Sequence, residues 1–381
     1  METFLIILLI LVVFGFLFNF WGLSIRNQGM QPITLNKVTA NGQLLATGKN
    51  GRQIAYCTYG KQDPAAPVVI NMHGSGLEAG FERDTFETVC VALECRGIAI
   101  SLPGCGFTDE KPGRQVKDWP LDDLDAVLNS EGVNQFHISG HSQGTPHAMA
   151  AALYFPARCI GLGLNAPLLP TKLCKEIGAK SAIGAGKTPT SIKLKRASTG
   201  WYFSIFRIVF GVLPASLAAN AITRGFPKVK ADHELVNRVE ASMRRSIVRG
   251  TSGATWESAQ DTCFDWGFNV RDVRNENAFV WHSDDDTAIP SEQGKWLAEN
   301  LSANYRHASE GYGHMTYCAG QYQEPQKSLV AALLRGAEQA QKRTLIRENM
   351  YYTNRRNNVR STNSVDPGDC LLDMGSILQK L

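Results

Sequence analysis

The polar and apolar positions of the chain follow a strand and helix rhythm over most of its length. The rhythm opens with two short strand-like runs, separated by the turn residues Lys49-Asn50-Gly51, which predict a β-hairpin. Nearly continuous apolar runs then alternate with stretches of helical spacing, which is typical of a mostly parallel sheet with helices on both faces. The predicted strands are Gln43–Ala46, Gln53–Thr58, Val68–Met72, Gly97–Ser101, Val133–Ser139, Cys159–Leu164, Ala278–His282 and Asn304–Ala308. The predicted helices are Phe81–Leu93, Trp119–Leu128, Pro146–Leu153, Glu292–Leu301 and a last helix over Glu324–Gln341.

The rhythm breaks between residues 166 and 266, where helical patterns dominate. This predicts a helical cap inserted into the sheet domain. Within it, Trp201–Leu213 is apolar apart from Ser204 and Arg207 and is too short to span a bilayer. Three interpretations stay open for this segment: a cap helix packed over the core, a wall of an acyl pocket, or a helix that dips into a membrane surface.

The segment Phe4–Leu23 is almost wholly apolar, and about 20 residues match the hydrocarbon thickness that a spanning helix must cross. It predicts a membrane anchor. The alternative is a secretory signal peptide, but the apolar run is longer than usual, no basic stretch precedes it and no Ala-x-Ala-like cleavage site follows. Arg26 and Lys37 follow the segment, so the positive-inside tendency predicts that the bulk of the chain lies on the cytosolic face, with a lumenal or secreted domain as the alternative.

Composition narrows the class of protein. The 39 basic and 35 acidic residues give a net charge of +4 without a basic stripe, so we expect no nucleic-acid partner. The nine cysteines form no Cys-x-x-Cys pair, which agrees with a reducing compartment. The predicted division of the 381 residues is an anchor over 4–23, a core in two parts over 31–165 and 267–341, the cap over 166–266, and a disordered tail over 342–381 that is rich in arginine and asparagine.

The candidate chemistry centres on Gly140-His141-Ser142-Gln143-Gly144, a Gly-x-Ser-x-Gly pattern between a predicted strand and a predicted helix. Such a turn is tight, so small residues must lie two positions from the serine on each side, and the hydroxyl is presented above the sheet edge. A glycine-rich turn that carries a serine for purely structural reasons is the alternative. A serine hydroxyl is a weak nucleophile at neutral pH, so an active Ser142 needs a histidine base and an acid that orients the histidine.

Both partners are available later in the chain, in the order Ser, Asp, His. His314 follows the last predicted strand in a glycine-bearing loop, whereas His282 and His307 lie inside strand patterns. The acid is expected in the turn Asp284-Asp285-Asp286, although a solvated turn that caps the next helix is the alternative. No spacing of acidic residues or histidines predicts a metal, and the chemistry requires no cofactor.

These motifs resemble the serine-nucleophile branch of the α/β-hydrolase superfamily over Gln53–Gly336, with an inserted helical cap. In that family Gly-x-x-Asp-x-x-x-Pro carries the acid; here Ser283 replaces the glycine, and the spacing to Pro290 selects Asp286. Gly313-His314 is similar to the family's Gly-His pair. The resemblance of His73-Gly74-Ser75 to the family's oxyanion loop implies that the backbone N–H groups of Ser75 and Gln143 bind the oxyanion, with Gly74 as second choice.

The resemblance also implies a reaction. Epoxide hydrolases and haloalkane dehalogenases of the superfamily use an aspartate at the elbow, so Ser142 favours acyl transfer to water through a serine acyl-enzyme. An ester is the expected small-molecule substrate, and a hydrophobic or lipid-like one is favoured by the apolar segments. Thioesters, amides and carbon–carbon bonds remain open, as does a non-catalytic, membrane-anchored binding protein of the same fold. The Ser101 position, where the family usually has aspartate, raises a question about the local loop only.

Overall fold

A computed structural model describes residues 2–180, 199–223, 226–263, 265–308 and 311–339. Its centre is an eight-stranded sheet with the order β1-β2-β4-β3-β5-β6-β7-β8. The hairpin strands β1 and β2 are antiparallel to their neighbours, and all other pairings are parallel. The strands are β1 (Leu44–Thr47), β2 (Gln53–Gly60), β3 (Val68–Met72), β4 (Arg96–Ile100), β5 (Phe136–His141), β6 (Cys159–Asn165), β7 (Ala278–His282) and β8 (Asn304–His307).

Helices follow most of the parallel strands and pack on the sheet. The helix after β3 packs on β2 and β4, and the helix after β5 packs on β5 and β6. The helices are α1 (Glu2–Gln28), α2 (Leu35–Ala40), α3 (Ala79–Ala92), α4 (Asp125–Ser130), α5 (Gly144–Tyr154), α6 (Thr171–Glu176), α7 (Thr199–Phe206), α8 (Ala215–Thr223), α9 (Pro227–Ala231), α10 (His233–Ser246), α11 (Ser252–Cys263), α12 (Ser291–Leu301) and α13, which covers 329–339.

Successive residues of the central strands face two different hydrophobic clusters. Ile70, Ile138 and Val280 pack in one cluster, while Val69 and Trp281 pack in the other. Because side chains alternate along a strand, a strand that is buried on both faces needs apolar residues at consecutive positions. This is the physical origin of the continuous apolar runs, and it confirms the predicted mostly parallel sheet with helices on both faces.

Two predicted helices differ in detail from the structure. Pro120 begins a π-helical turn over Pro120–Leu124, and regular helix begins only at Asp125. Three short 3₁₀ turns occupy much of the chain between His314 and Ser328, and the last helix begins at residue 329 rather than 324. Glu324 is extended, as a residue before proline usually is, and the helix begins after Ser328 because the Ser328 hydroxyl accepts the Ala331 N–H at 3.1 Å as an N-cap.

In the described parts of residues 166–266 every regular element is helical. The helix α1 is long and apolar enough to cross a bilayer, with a mean hydropathy of 2.8. A compact unit that contains the sheet ends at Ala337. The predicted tail over 342–381 lies outside the described residues.

Candidate active site

Ser142 lies in the sharp turn between β5 and α5, with a φ of 50°. This left-handed backbone conformation is strained for serine and costs on the order of 1–3 kcal/mol. A Cβ at Gly140 would lie 2.6 Å from the Gly144 carbonyl oxygen, and a Cβ at Gly144 would lie 2.5 Å from that of Met72. The turn therefore needs glycine at both flanking positions, as the pattern indicates.

Backbone hydrogen bonds hold the strained turn in place. The Ser142 N–H donates to the Asn165 carbonyl oxygen at 3.0 Å. The Ser142 carbonyl oxygen accepts from the N–H of Thr145 at 3.0 Å and from its hydroxyl at 2.6 Å. Both backbone groups of the serine are thus used by the fold, which leaves its side chain as the group available for chemistry.

Asp286 and His314 are brought together at the carboxyl edge of the sheet. His314 Nδ1 lies 2.7 Å from Asp286 Oδ2. The other oxygen, Oδ1, accepts the backbone N–H of Ala288 at 2.8 Å and of Ile289 at 3.0 Å. Burial on its own would raise the pKa of Asp286, but the His314 charge and the hydrogen bonds of His282, His314 and the Ile289 N–H hold it well below its usual range. The carboxylate is therefore ionised and oriented toward the imidazole.

His282 is a further neighbour of this carboxylate, and sequence reasoning missed it. Its Nε2 donates to the Ile289 carbonyl oxygen at 2.9 Å and lies 3.4 Å from Asp286 Oδ2. The side chain is buried at the end of β7, four residues before Asp286. One feature of the sequence could have identified His282: it is the last residue of the strand that precedes the turn with Asp286.

His141, the residue before Ser142, positions the loop that carries His314. Its Nε2 donates to the His314 carbonyl oxygen at 2.9 Å, and its ring stacks on Tyr317 with centroids 4.1 Å apart. Burial, aided by the His314 charge, lowers the pKa of His141 well below its usual value. His141 is thus a neutral imidazole that connects the turn at Ser142 to the loop of His314. The ring centroids of His141 and His314 lie 4.7 Å apart.

The buried carboxyl group of Glu82 holds the Tyr317 side chain in place. The Tyr317 hydroxyl donates to Glu82 Oε1 at 3.0 Å. Burial raises the pKa of Glu82 to about 8, although the hydrogen bond from Tyr317 opposes this change. A series of contacts therefore connects Glu82 to the His314 backbone: a hydrogen bond to Tyr317, the ring stack of Tyr317 on His141, and the hydrogen bond from His141.

The predicted oxyanion loop passes directly against the nucleophile. A Cβ at Gly74 would lie 2.8 Å from His141 Nδ1 and 3.3 Å from Ser142 Cβ. His73 fixes this loop, because its Nδ1 donates to the Gly74 carbonyl oxygen at 2.8 Å and its Nε2 accepts from the Leu102 N–H at 2.9 Å. Burial lowers the pKa of His73 to about 4, so the imidazole is neutral in this role.

The cap helix α11 reaches the same place through Ser258. Ser258 Oγ lies 2.9 Å from Ser75 Oγ and donates to Gln143 Oε1 at 3.3 Å. Gln143 is the N-cap residue of α5, and the first amides of a helix have no partner within it. The cap thus links the side chains of the two residues whose N–H groups are predicted to bind the oxyanion.

The residue before Ser258, Glu257, belongs to a buried polar cluster that joins α11 to the sheet domain. The Glu257 carboxylate bonds to the Arg114 guanidinium and lies 2.9 Å from His147 Nε2. Ligand atoms of His147, Glu257 and Asp261 lie within 4.8 Å of one another, a spacing that suits a metal ion. Arg114 supplies the positive charge at this point and competes with a cation for Glu257, so we interpret the cluster as an ion pair that fixes the cap.

The other predicted acids lie elsewhere. Asp284 Oδ2 is 2.8 Å from His307 Nε2, and its Oδ1 is 3.1 Å from Lys295 Nζ at the surface. Asp285 accepts a hydrogen bond from the Ser283 hydroxyl. The structure thus brings His314 to Asp286, as the spacing to Pro290 predicts. Ser101, which stands where the family usually has aspartate, directly follows β4. Its hydroxyl accepts the Ala79 N–H at 3.0 Å, so the serine helps to order the loop after β4.

Comparisons with known proteins agree with this architecture. Among curated proteins, epoxide hydrolase B of Mycobacterium tuberculosis is 26% identical over 157 residues, or 40% of this chain and 43% of that protein. The match thus spans less than half the length of that relative. Among solved structures, the enol-lactonase from Burkholderia xenovorans has a TM-score of 0.56 at 15% identity, with 77% of this chain and 100% of that chain covered. A thermophilic esterase from Thermogutta terrifontis has a TM-score of 0.56 at 17% identity, with 77% and 98% covered.

A family model described as the alpha/beta hydrolase fold matches residues 67–320, which is more than half of the chain. This range holds the elbow, the described cap helices and the His314 loop. The chain is therefore an α/β-hydrolase and belongs to the alpha/beta hydrolase fold family.

Proposed function

We propose that this protein is a membrane-anchored serine hydrolase that cleaves an ester through an acyl-enzyme on Ser142. The observation that carries the proposal is the strained turn at Ser142, tied through His141 to the loop on which His314 bonds to Asp286 at 2.7 Å. This is an orienting acid, a base and a presented hydroxyl in the order of the nucleophile-elbow hydrolases.

The geometry supports an acyl-transfer mechanism. The Nδ1–H of His314 is donated to Asp286, which leaves Nε2 as the acceptor for the Ser142 proton. Ser142 Oγ attacks the ester carbonyl carbon, and the N–H groups of Ser75 and Gln143, with Gly74 as second choice, stabilise the oxyanion. His314 then gives the proton to the leaving alcohol. In the second half, His314 takes a proton from water, the hydroxide attacks the acyl-enzyme, and Ser142 recovers its proton as the carboxylic acid leaves.

The main alternatives differ in the bond that is broken. Thioester, amide or carbon–carbon bond cleavage would use the same nucleophile, base and acid. Opening an epoxide through an enzyme-bound ester needs a carboxylate nucleophile, whereas residue 142 is serine. A binding protein that has lost its chemistry is disfavoured because the acid and the base keep the pairing that catalysis requires: Asp286 is ionised and bonded to His314 Nδ1 at 2.7 Å.

We further propose that α1 remains attached as the membrane anchor and is not removed as a signal sequence. Its support is a close contact with the cap: Ser204 Oγ donates to the Phe18 carbonyl oxygen at 2.6 Å. The cytosolic side is favoured by Arg26 and Lys37, which follow the apolar segment Phe4–Leu23. It is also favoured because the seven cysteines whose side chains the structure describes are all buried, free thiols. A protease-protection assay in sealed microsomes tests this placement. Cleavage of a C-terminal epitope is expected, and full protection would contradict it.

The catalytic proposal is tested with p-nitrophenyl esters of increasing acyl length. Ser142→Ala is expected to lower kcat by about 10³-fold or more, since it removes the nucleophile. The matched control is Ser291→Ala, which changes a serine at the start of α12 that bonds to Asp284 at 2.6 Å. Equal rates for wild type and Ser142→Ala across the panel would contradict the proposal.

A further inference from the structure

We propose that the cap helix α7, with the π-helical turn Arg207–Val212 that continues it, lies in the hydrocarbon layer beside α1. Its exposed apolar side chains then face lipid acyl chains, and a long-chain ester reaches Ser142 from within the bilayer. The inference rests on the proposed anchor and hydrolase. It adds the partner surface, which is a lipid bilayer, and the substrate class, which is an ester whose acyl chain is dissolved in that bilayer.

The first support is the close crossing of α1 and α7. A Cβ on Gly22 would overlap the Gly200 carbonyl oxygen, and a Cβ on Gly200 would overlap the backbone of Asn19. Only glycine lets the two backbones approach so closely. Trp201 N–H donates to Asn19 Oδ1 at 3.2 Å, and the rings of Phe18 and Trp201 meet edge-on at 4.9 Å. Small residues and a few interhelical hydrogen bonds are the means by which helices associate in membranes.

The second support is that α1 is fixed to the cap beyond this crossing. The Ser252 hydroxyl donates to the Arg26 carbonyl oxygen at 3.2 Å, and the Arg26 guanidinium lies 5.4 Å from the Trp256 ring centroid. The Gln31 N–H donates to the Arg249 carbonyl oxygen at 2.8 Å. Because α1 is held at several points, its depth in a bilayer also sets the depth of α7.

The depth follows from the length of α1 that is free of the domain. Residues 3–14 are all exposed, and contacts with α7 begin at Gly15. At 1.5 Å per residue these twelve residues span about 18 Å, whereas the hydrocarbon layer is about 30 Å thick. The remaining ~12 Å must come from residues 15–22, the stretch against which α7 packs. Thus α7 lies beside the part of α1 that is still in hydrocarbon.

The outer surface of this region has the composition that such a position requires. Ile205, Val212 and Leu217 are 52%, 59% and 55% exposed. Exposure of these apolar side chains to water is unfavourable, and contact with lipid acyl chains removes this free-energy cost. Residues 199–213 include a single charged side chain, Arg207. Its guanidinium lies against Gly211, where a Cβ would be 2.9 Å from an arginine nitrogen, and a long cationic side chain can extend toward the headgroups.

The same segment continues to the catalytic edge. Phe206 stacks on Phe210 with centroids 4.2 Å apart. Phe210 in turn lies against the oxyanion loop, since a Cβ at Gly76 would be 2.5 Å from its ring. Gly76 directly follows Ser75. Contiguous apolar side chains therefore connect α7 to the loop that contacts Ser142, and they provide the surface along which an acyl chain would lie.

The test places an environment-sensitive dye on the exposed face of α7. Full-length Ile205→Cys, with Cys263 and Cys370 replaced by serine, is labelled and reconstituted in phosphatidylcholine vesicles. The control is Val91→Cys on α3, which is 57% exposed and distant from α1 in the sequence. We expect lipids brominated on the acyl chain to quench the dye at 205 and aqueous iodide to quench the dye at 91. Iodide quenching at 205 would overturn the inference, and so would protection from both quenchers, which would indicate that a second copy covers the face.

A kinetic arm separates this inference from the proposed function. In the same vesicles, Ile205→Asp is expected to lower the rate on a bilayer-dissolved long-chain ester, relative to a soluble short-chain ester, by about tenfold, because an ionised side chain disfavours hydrocarbon. Val91→Asp should leave this ratio unchanged, and an unchanged ratio for Ile205→Asp would contradict the inference. Failure of the wild type to cleave any ester would contradict the proposed function, while the quenching result would still decide the depth of α7.

Discussion

Two buried aspartates, one at the sheet edge and one on the cap, are surrounded in opposite ways. Asp286 accepts hydrogen bonds from His314, Ala288 and Ile289, so its pKa is held well below the usual range. Neither oxygen of Asp261 has a hydrogen-bond partner among the described residues, and the nearby Gln143 amide nitrogen is not in hydrogen-bonding geometry.

Asp261 therefore has the opposite charge state. Burial raises its pKa well above the usual range, and the charge of Glu257 adds to this, while the Arg114 charge opposes it only in part. The comparison shows that burial does not set the ionisation of a carboxyl group; the number of donors that reach it does. The sheet edge keeps a charge that chemistry can use, and the cap keeps a neutral acid beside an ion pair.

The largest expected effect is at the sheet edge. Asp286→Asn removes the charge that orients and stabilises the His314 imidazolium, so kcat on a soluble ester should fall by about 10³-fold or more. The matched control is Asp284→Asn, two residues earlier and paired with Lys295 and His307 at the surface, which should stay within about twofold. Steady-state kinetics on folded protein check both variants, and equal losses would show that Asp286 has no special role.

The next effect is on the cap. Glu257→Gln leaves the buried Arg114 without its carboxylate, which should cost about 3–5 kcal/mol of the free energy of unfolding. Urea unfolding in mild detergent, followed by tryptophan fluorescence, measures this loss. Arg244 pairs with Glu240 at the surface, so Glu240→Gln should change stability by less than about 1 kcal/mol. A similar small change for Glu257→Gln would rule out the anchoring role.

A third carboxyl group, Glu82, extends the comparison to pH. Its pKa is about 8 in the folded protein against a usual value of 4.5, so its contribution to stability is fully present below about 4.5 and is lost as pH rises toward 8. Between pH 6 and 8 this loss amounts to about 2 kcal/mol. Glu82→Gln keeps an acceptor for Tyr317 and should flatten this part of the stability profile. An unchanged profile in urea unfolding would contradict the neutral state of Glu82.

The smallest expected effect is at Asp261. Because this acid is neutral, the similarly sized amide side chain of Asp261→Asn should change the free energy of unfolding by less than about 1 kcal/mol and leave kcat within about threefold. The same substitution at Asp286 is expected to be severe, so the pair tests the comparison directly. A loss above about 3 kcal/mol for Asp261→Asn would mean that this group is ionised.

The fold and the positions of the chemical groups were predictable where local rules apply. Continuous apolar runs predict strands buried on two faces, and glycines at 140 and 144 predict the turn in which Ser142 has its positive φ. The spacing to Pro290 selects the aspartate that meets His314. The catalytic roles of these residues stay predictions until they are measured.

The supporting residues could not be predicted because their partners are distant in sequence. Arg114 and Glu257 are 143 positions apart, and Ser75 and Ser258 are 183 apart. His141 and His282 occupy strand positions that look like core, and only the packed sheet shows that they touch the His314 backbone and Asp286. Likewise, a short apolar pattern over Trp201–Leu213 does not reveal its contact with α1.

The most direct test of the central claim is the site of a covalent adduct. A fluorophosphonate probe reacts with the full-length protein, and mass spectrometry of the digest locates the modified residue. We predict a single adduct on Ser142 that is absent in Ser142→Ala and forms at least about 10²-fold more slowly in His314→Ala. Folded wild-type protein that gains no adduct at Ser142, or that labels equally fast without His314, would contradict the account.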